Sequence, residues 1–444
     1  MSKDYFGTDG VRGTVGKDPM TADFAMRLAS AAAQVLVPQG GTVVIGKDTR
    51  LSGYMFESAL EAGFVAAGAD VLLLGPLPTP GIARLTQEFD ADLGVVISAS
   101  HNAFFDNGIK FFDRSGSKLT DDIEMKIEEH LKNPAITLES HQLGKAKRID
   151  TARIRYQDFC AASMPDGIDL EGMKVVFDGA NGAGYKVGPR ALANLGAEVI
   201  PIGCSPNGKN INAGCGSMEP ELLQLTVPAV KGNVGVALDG DGDRVVMVDE
   251  SGKLIDGDQL LYVLAMDRKS NGGLSGPVVG TVMSNLGLEH ALQAMDIDFR
   301  RAAVGDRYVL ETLRSAGGIL GGETSGHMLV LDKTTTGDGL ISALQVLAIM
   351  KRTGKPLSEL VAGMPKYPQT MVNVRTERRL NPDESTAIQN AVAVAEDELA
   401  DKGRVVLRAS GTEPVIRVMV EGEDAEQVVS LAKRLASIVA KAAA

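Results

Sequence analysis

The sequence predicts an α/β fold: three similar α/β domains with mixed, mostly parallel sheets, followed by a C-terminal α+β domain, arranged around a central cleft. Three observations lead there. A strand, helix, strand, helix, strand order recurs three times, as parallel βαβ units require. The last strand of each repeat runs into a polar loop of different chemistry, the place where open α/β sheets keep their ligands. After Lys355-Pro356 the alternation stops and a smaller α+β pattern takes over. With 444 residues the chain has room for about three or four domains of roughly 150 residues each.

In the first repeat Thr21 opens an Ala-rich helix over Ala22–Val37, and Thr42–Ile45 is a strand ending at Gly46-Lys47-Asp48-Thr49-Arg50. Helix Tyr54–Ala67, strand Asp70–Leu74 and helix Pro80–Phe89 follow. Leu93, Val95, Val96 and Ile97 then form a buried strand that breaks into Ser98-Ala99-Ser100-His101-Asn102. The second repeat has strands Lys174–Phe177, Glu198–Ile202 and Val234–Leu238 with helices Tyr185–Leu195 and Glu219–Val230, and ends in Asp239-Gly240-Asp241-Gly242-Asp243-Arg244. In the third, strands Pro277–Val282 and Asp298–Val304 and helices Leu286–Met295 and Tyr308–Ala316 lead through Gly318-Ile319-Leu320 to the loop Gly321-Gly322-Glu323-Thr324-Ser325-Gly326-His327. The echo of Gly68-Ala69-Asp70-Val71 in Gly196-Ala197-Glu198-Val199 marks a genuine internal repeat. The last part reads as strand Met371–Thr376 and a helix with Asn381 as cap, Pro382 in its first turn and Gly403 beyond its end. Strands Val405–Leu407 and Val415–Val420 come next, then a helix from near Asp424. Boundaries in the polar stretch Pro134–Arg153 and near Ser251-Gly252 give domains 1–150, 151–252, 253–366 and 367–444.

Composition excludes several classes of function. The formal net charge is -12 and no long basic stripe is visible, so neither nucleic acid nor an anionic membrane is the expected partner. An anionic ligand must be held by locally placed cations. Cys160, Cys204 and Cys215 are scattered and suit structural thiols in a reducing compartment. Met1–Gly13 lacks an apolar signal core, and nothing later approaches a membrane-spanning run, so a cytoplasmic protein is expected.

Each loop carries its own chemistry. Asp239, Asp241 and Asp243 stand at alternate positions with glycines between, so that hard oxygens can converge on one cation, with magnesium favoured. An EF-hand is rejected because Arg244 occupies its glycine position and Val245–Val248 continues as strand. Ser100 precedes His101, yet adjacent residues seldom face each other as a Ser-His couple must, and no nucleophile elbow surrounds the serine. Lys110 can return to the Ser100 loop as a charge stabiliser or proton-transfer group. Glu323 and Ser325 suit bracketing sugar hydroxyls, with His327 beside them. Arg408, Ser410, Gly411, Thr412 and Arg417 form a compact phosphate-binding candidate. Two near-motifs fail: Gly203–Asn210 ends in Asn where a P-loop needs Ser or Thr, and Gly182-Ala183-Gly184 lacks the spacing and ribose anchor of a dinucleotide fingerprint.

With a serine loop, a triple-aspartate loop, a Glu/Ser loop and a terminal phosphate loop in that order, the chain resembles the α-D-phosphohexomutase superfamily from end to end. The opening Phe6-Gly7-Thr8-Asp9-Gly10-Val11-Arg12-Gly13 is most similar to its bacterial branch that interconverts glucosamine 6-phosphate and glucosamine 1-phosphate for amino-sugar nucleotide and cell-wall precursor synthesis. The resemblance implies that Ser100 is phosphorylated, that Asp239, Asp241 and Asp243 bind magnesium together with it, and that a glucosamine 1,6-bisphosphate is the intermediate. It implies that Glu323 and Ser325, with Arg244 and His327, recognise the sugar. Arg408, Ser410, Gly411, Thr412 and Arg417 would hold the idle phosphate, while Arg12, His101 and Lys110 sit beside the transferred one. It also implies a homodimer. Two positions depart from the pattern: Ala103 stands where many members carry proline, and Thr324 where a glucosamine enzyme is expected to carry glutamine. Glucose or mannose phosphates therefore remain alternative substrates. A magnesium-dependent phosphatase would instead release phosphate without isomer exchange, and a sugar-phosphate sensor would leave Ser100 unmodified.

Overall fold

The computed structural model describes residues 3–7, 9–376, 381–409 and 415–443. Four sheets follow one another along the chain. The first contains β1 (Val11–Thr14), β2 (Thr42–Lys47), β3 (Asp70–Pro76), β4 (Leu93–Ile97), β5 (Asp106–Asp113) and β6 (Ala146–Arg148), in the order β1-β5-β4-β2-β3-β6. β4, β2, β3 and β6 are parallel, and β5 is antiparallel to both its neighbours. The second holds β7 (Lys174–Asp178), β8 (Glu198–Ile202), β9 (Val234–Leu238), β10 (Val245–Val248) and β11 (Leu254–Ile255), in the order β11-β10-β9-β7-β8. The third holds β12 (Val278–Thr281), β13 (Phe299–Ala302), β14 (Leu320–Gly322) and β15 (Met328–Val330), in the order β13-β12-β14-β15. The fourth is antiparallel, with β16 (Gln369–Arg375), β17 (Gly403–Ala409) and β18 (Val415–Gly422) in the order β16-β18-β17.

In each of the first three sheets a buried parallel strand turns back into an antiparallel neighbour: β4 into β5, β9 into β10, β14 into β15. The three polar loops are those turns, so the repeat places them equivalently. β4 and β9 are buried at every residue, as a strand covered on both faces must be.

The helix Gly339–Thr353 explains how the first three units hold together. Every residue from Gly339 to Met350 is buried, which an apolar helix tolerates only inside a core. Asp338 caps it, accepting from Ile341 N at 2.9 Å, and Gly354 ends it at φ 68°. One apolar core runs from Val44, Val96 and Phe112 through Val175 and Val236 to this helix. The fourth unit has a separate core around Val374, Ile388, Val418 and Leu431. It meets the third unit through Arg404, which donates to Glu421 (2.8 Å) and to the carbonyls of Val282 (3.0 Å) and Ser284 (2.6 Å).

Three expectations change. The stretch Pro134–Arg153 is more than a linker, because β6 within it pairs in parallel with β3, Ala146 beside Val71. The helix after Pro382 begins at Thr386 with Ser385 in the cap position, since Pro382–Glu384 forms its own 3-10 turn, which Asn381 braces by donating to Glu384 Oε1 at 3.0 Å. Gly321 and Gly322 belong to β14 itself, and the third loop is shortened accordingly.

Candidate active site

Ser100 follows β4 with 1% of its surface exposed and a φ of +50°, a strained conformation that neighbours must enforce. Arg50, fully buried beyond β2, does so: it pairs with Asp48 and donates Nη2 to the carbonyls of Ser100 (3.1 Å) and Asn102 (2.5 Å). Asn212 of the second unit donates to the same two carbonyls at 2.9 and 3.0 Å. The loop is thus braced from two sheets although Ala103 lacks the stiffness of proline. Ser100 Oγ donates to Asp239 Oδ2 at 2.5 Å, whereas His101 Nδ1 lies 3.4 Å away. Burial, with Arg244 and Arg12 nearby, pushes His101 down to about 4, so its ring is neutral near pH 7.

The three aspartates occupy the β9–β10 turn, all buried, with one carboxylate oxygen of each within 4.8 Å of the others. Gly240 makes this approach possible, because a Cβ there would meet Ser100 O at 2.5 Å. Asp239 Oδ1 accepts from the backbone N of Gly242 (3.1 Å) and Arg244 (3.2 Å). Asp241 Oδ2 accepts from Thr79 Oγ1 (2.7 Å) and Lys110 Nζ (2.9 Å), while its Oδ1 is buried and accepts no hydrogen bond. Burial, followed by the charges of Asp243 and Asp241, drives Asp239 well above the usual carboxylate range. A partnerless buried oxygen among crowded like charges is what a hard divalent cation satisfies, so the all-oxygen set fits a metal centre.

Lys110 on β5 is buried and lies 2.9 Å from Asp241, 2.8 Å from Asp9 and 3.7 Å from Asp243. Burial opposes its charge, yet these three carboxylates outweigh it and keep the amine protonated. Ser100 and Asp243 open into a cleft of about 470 Å3 that Arg12, His101, Arg244, Glu323, His327 and Arg408 also line. Glu323 Oε1 accepts from Gly305 N at 3.0 Å. The second and third loops are stitched by Val245 N donating to Gly326 O (3.0 Å), and a Cβ on Gly326 would meet Val245 O at 2.1 Å. His327 is buried between Asp243 (3.7 Å) and Asp306 (3.5 Å). Burial would lower it, but the carboxylates push it up to about 9.

Not every expected residue arrives. Ser325 and Arg417 are absent from the cleft lining; Arg417 is exposed on β18, directly opposite Arg408 on β17. Ser410, Gly411 and Thr412 lie outside the described residues. Sequence reasoning missed Arg50, Asn212, Asp9, Lys118 and Asp306. Arg50 was findable, since it ends a loop at the carboxyl end of the strand beside β4. Asp9 lies within the Gly-rich opening stretch, whereas Lys118 and Asp306 sit in no motif.

Thr324 does not line the cleft and donates Oγ1 to Asp258 Oδ2 at 2.7 Å. Burial and then Asp256 push Asp258 up to about 6. The folded chain therefore binds this proton more tightly than the unfolded chain. Its contribution to stability is full below about pH 4 and is lost as pH rises through 6. Asp258→Asn removes this titration and gains up to about 3 kcal/mol relative to wild type between those limits. Urea unfolding of both proteins from pH 4 to 7 checks it; parallel pH profiles would contradict the assignment.

The family model described as phosphoglucomutase/phosphomannomutase matches the chain in four pieces: alpha/beta/alpha domain I at residues 3–136, domain II at 155–252, domain III at 256–367 and the C-terminal domain at 371–438. The chain belongs to the phosphoglucomutase/phosphomannomutase family. Within that family it is 55% identical over 443 residues to the phosphoglucosamine mutase of Thioalkalivibrio sulfidiphilus, covering 99% of this chain and 98% of the relative. It is 56% identical to that of Alcanivorax borkumensis, covering 100% of both. A solved phosphoglucomutase/phosphomannomutase family protein from Burkholderia thailandensis shares the fold with a TM-score of 0.81 at 24% identity, covering 98% of this chain and 97% of that one. The N-acetylphosphoglucosamine mutase of Aspergillus fumigatus, solved with GlcNAc-6P and magnesium, gives a TM-score of 0.71 at 17% identity over 100% and 96% of the chains. As a member of the phosphoglucomutase/phosphomannomutase family the chain is a mutase, an isomerase working by phosphoryl transfer on sugar phosphates. The three cysteines are free thiols, and among the described residues no helix is long and apolar enough to cross a membrane.

Proposed function

We propose that this enzyme interconverts glucosamine 6-phosphate and glucosamine 1-phosphate, with phospho-Ser100 as phosphoryl carrier and glucosamine 1,6-bisphosphate as intermediate. The observation that carries the reading is the 2.5 Å approach of Ser100 Oγ to Asp239, which sets a strained serine on the rim of the carboxylate cluster. End-to-end likeness to phosphoglucosamine mutases supports the glucosamine substrate. Thr324 does not oppose it, because its hydroxyl is engaged with Asp258 and the residue does not line the cleft.

Phosphoryl transfer asks the protein for in-line positioning and for neutralisation of the equatorial oxygens. Asp239, Asp241 and Asp243 would hold magnesium beside Ser100, supplying charge neutralisation to the phosphoryl group. Lys110 adds a fixed positive charge at the same loop, with Arg12 on the cleft wall and His101 neutral beside the serine. In the transfer the phosphorus–oxygen bond to Ser100 breaks, a bond to the sugar's free hydroxyl oxygen forms, and the hydroxyl proton ends on Ser100. The bisphosphate turns end for end and its other phosphoryl group returns to Ser100. Glu323, Ser325, Arg244 and His327 read the sugar. Arg408, with Ser410, Gly411, Thr412 and Arg417, holds the idle phosphate. The shared face of Arg408 and Arg417 supports pairing them, and the separate core of the fourth unit supports closure of domain 367–444 over domains 1–150, 151–252 and 253–366. The reading includes a cytoplasmic location and, by resemblance to bacterial relatives, a homodimer.

Isomerisation of glucosamine, glucose and mannose phosphates, assayed side by side, tests the proposal. Highest kcat/KM on the glucosamine pair is expected. Preference for glucose or mannose would reassign the substrate, and phosphate release without isomer exchange would replace the mutase by a phosphatase.

A further inference from the structure

The charged groups along the cleft wall close into a ring of alternating sign. Asp243 lies 3.7 Å from Lys110, Lys110 2.8 Å from Asp9, and Asp9 2.6 Å from Lys118. Lys118 lies 2.5 Å from Asp306, Asp306 3.5 Å from His327, and His327 3.7 Å from Asp243. Three sheet units contribute. Within this ring the first unit meets the third at Lys118 and Asp306. Lys118 lines the cleft and separates it from an outer cavity of about 280 Å3 between the same two units.

The contact around Lys118 is rich in polar groups. Arg307 donates to Leu119 O and to Glu124, both at 3.2 Å, and Arg314 donates to Ser117 Oγ at 2.9 Å. The shared apolar core holds the units together, and at this polar edge of the contact the charged bridge sets the local register of the facing loops. Movement there reaches the chemistry from both ends. Asp306 follows Gly305, whose N–H is fixed to Glu323. Asp9 holds Lys110 and also pairs with Arg12.

We propose that Lys118 is a positioning residue for phosphoryl transfer: gripped by Asp9 and Asp306, it fixes the third unit and its sugar-reading loop against Ser100 and Lys110. This rests on the mutase reading above. Lys118 acts through its two carboxylates and need not touch the sugar. Without its charge, two half-buried carboxylates share fewer cations and the loops that carry them lose their local register. The bisphosphate, which must be held while it turns, then escapes more often.

Lys118→Met, Asp306→Asn and Lys118→Arg test the proposal, with kcat, KM, release of bisphosphate into solution and thermal unfolding measured for each. Misplacement of reacting groups by about 1 Å costs about 100-fold, so kcat is expected to fall by about that factor in Lys118→Met, with a much smaller change in KM. Activity should become dependent on added glucosamine 1,6-bisphosphate, and Lys118→Arg, which keeps the charge between both carboxylates, should restore retention. Wild-type kcat and wild-type retention in folded Lys118→Met overturn the proposal. So does a loss of kcat with unchanged retention that Lys118→Arg shares, which marks a merely structural lysine. If Lys118→Met does not fold, the isosteric Asp306→Asn carries the same expected and overturning results. Absence of isomerase activity in the wild type would instead be a failure of the mutase reading.

Discussion

Ser100→Ala loses at least about 10^4-fold in kcat, even with glucosamine 1,6-bisphosphate supplied, because the covalent carrier is gone and water or another hydroxyl cannot take its place. The size of the effect follows from the site. Ser100 Oγ meets the carboxylate cluster from a position that lines the cleft, and Arg50 and Asn212 hold its backbone in a left-handed turn that aims it there. Alanine adopts that turn about as poorly as serine does, so folding should change little. Turnover of the folded variant near the wild-type rate would remove Ser100 from the mechanism.

Stripping divalent cations silences turnover by about 10^3-fold or more, and returning magnesium restores it. Two like unit charges 4 Å apart cost about 4 kcal/mol at an effective dielectric near 20. A phosphoserine of about -1.5 to -2 charges cannot face Asp239, Asp241 and Asp243 on those terms without a cation. Lys110 offsets only part of this, since Asp9 and Asp241 already share its charge. An unchanged rate in strong chelator would contradict the metal assignment.

What the sequence made legible follows from where the signals are local. β4 and β9 fall on the expected residues because a buried parallel strand is an uninterrupted apolar run or nearly so. Ser100 and the three aspartates were readable because chemistry at a strand end stands out against such runs. β6 was not, because Ala146–Arg148 is exposed and pairs through its backbone alone. β14 was displaced by glycines that carry little strand propensity. Lys118 and Asp306 lie 188 residues apart and leave no trace in any local pattern. Arg417 was grouped with Arg408 from their nearness in sequence, and strand register sets the two opposite each other, with Arg417 exposed.

The central claim is that Ser100 carries the phosphoryl group during turnover. Intact-mass analysis of the enzyme with peptide mapping, before and after incubation with glucosamine 1,6-bisphosphate, tests it most directly. One phosphoryl group on Ser100 that is lost to glucosamine 6-phosphate as bisphosphate forms is the predicted result. Sustained isomerisation by a chain whose Ser100 never carries phosphate would contradict it.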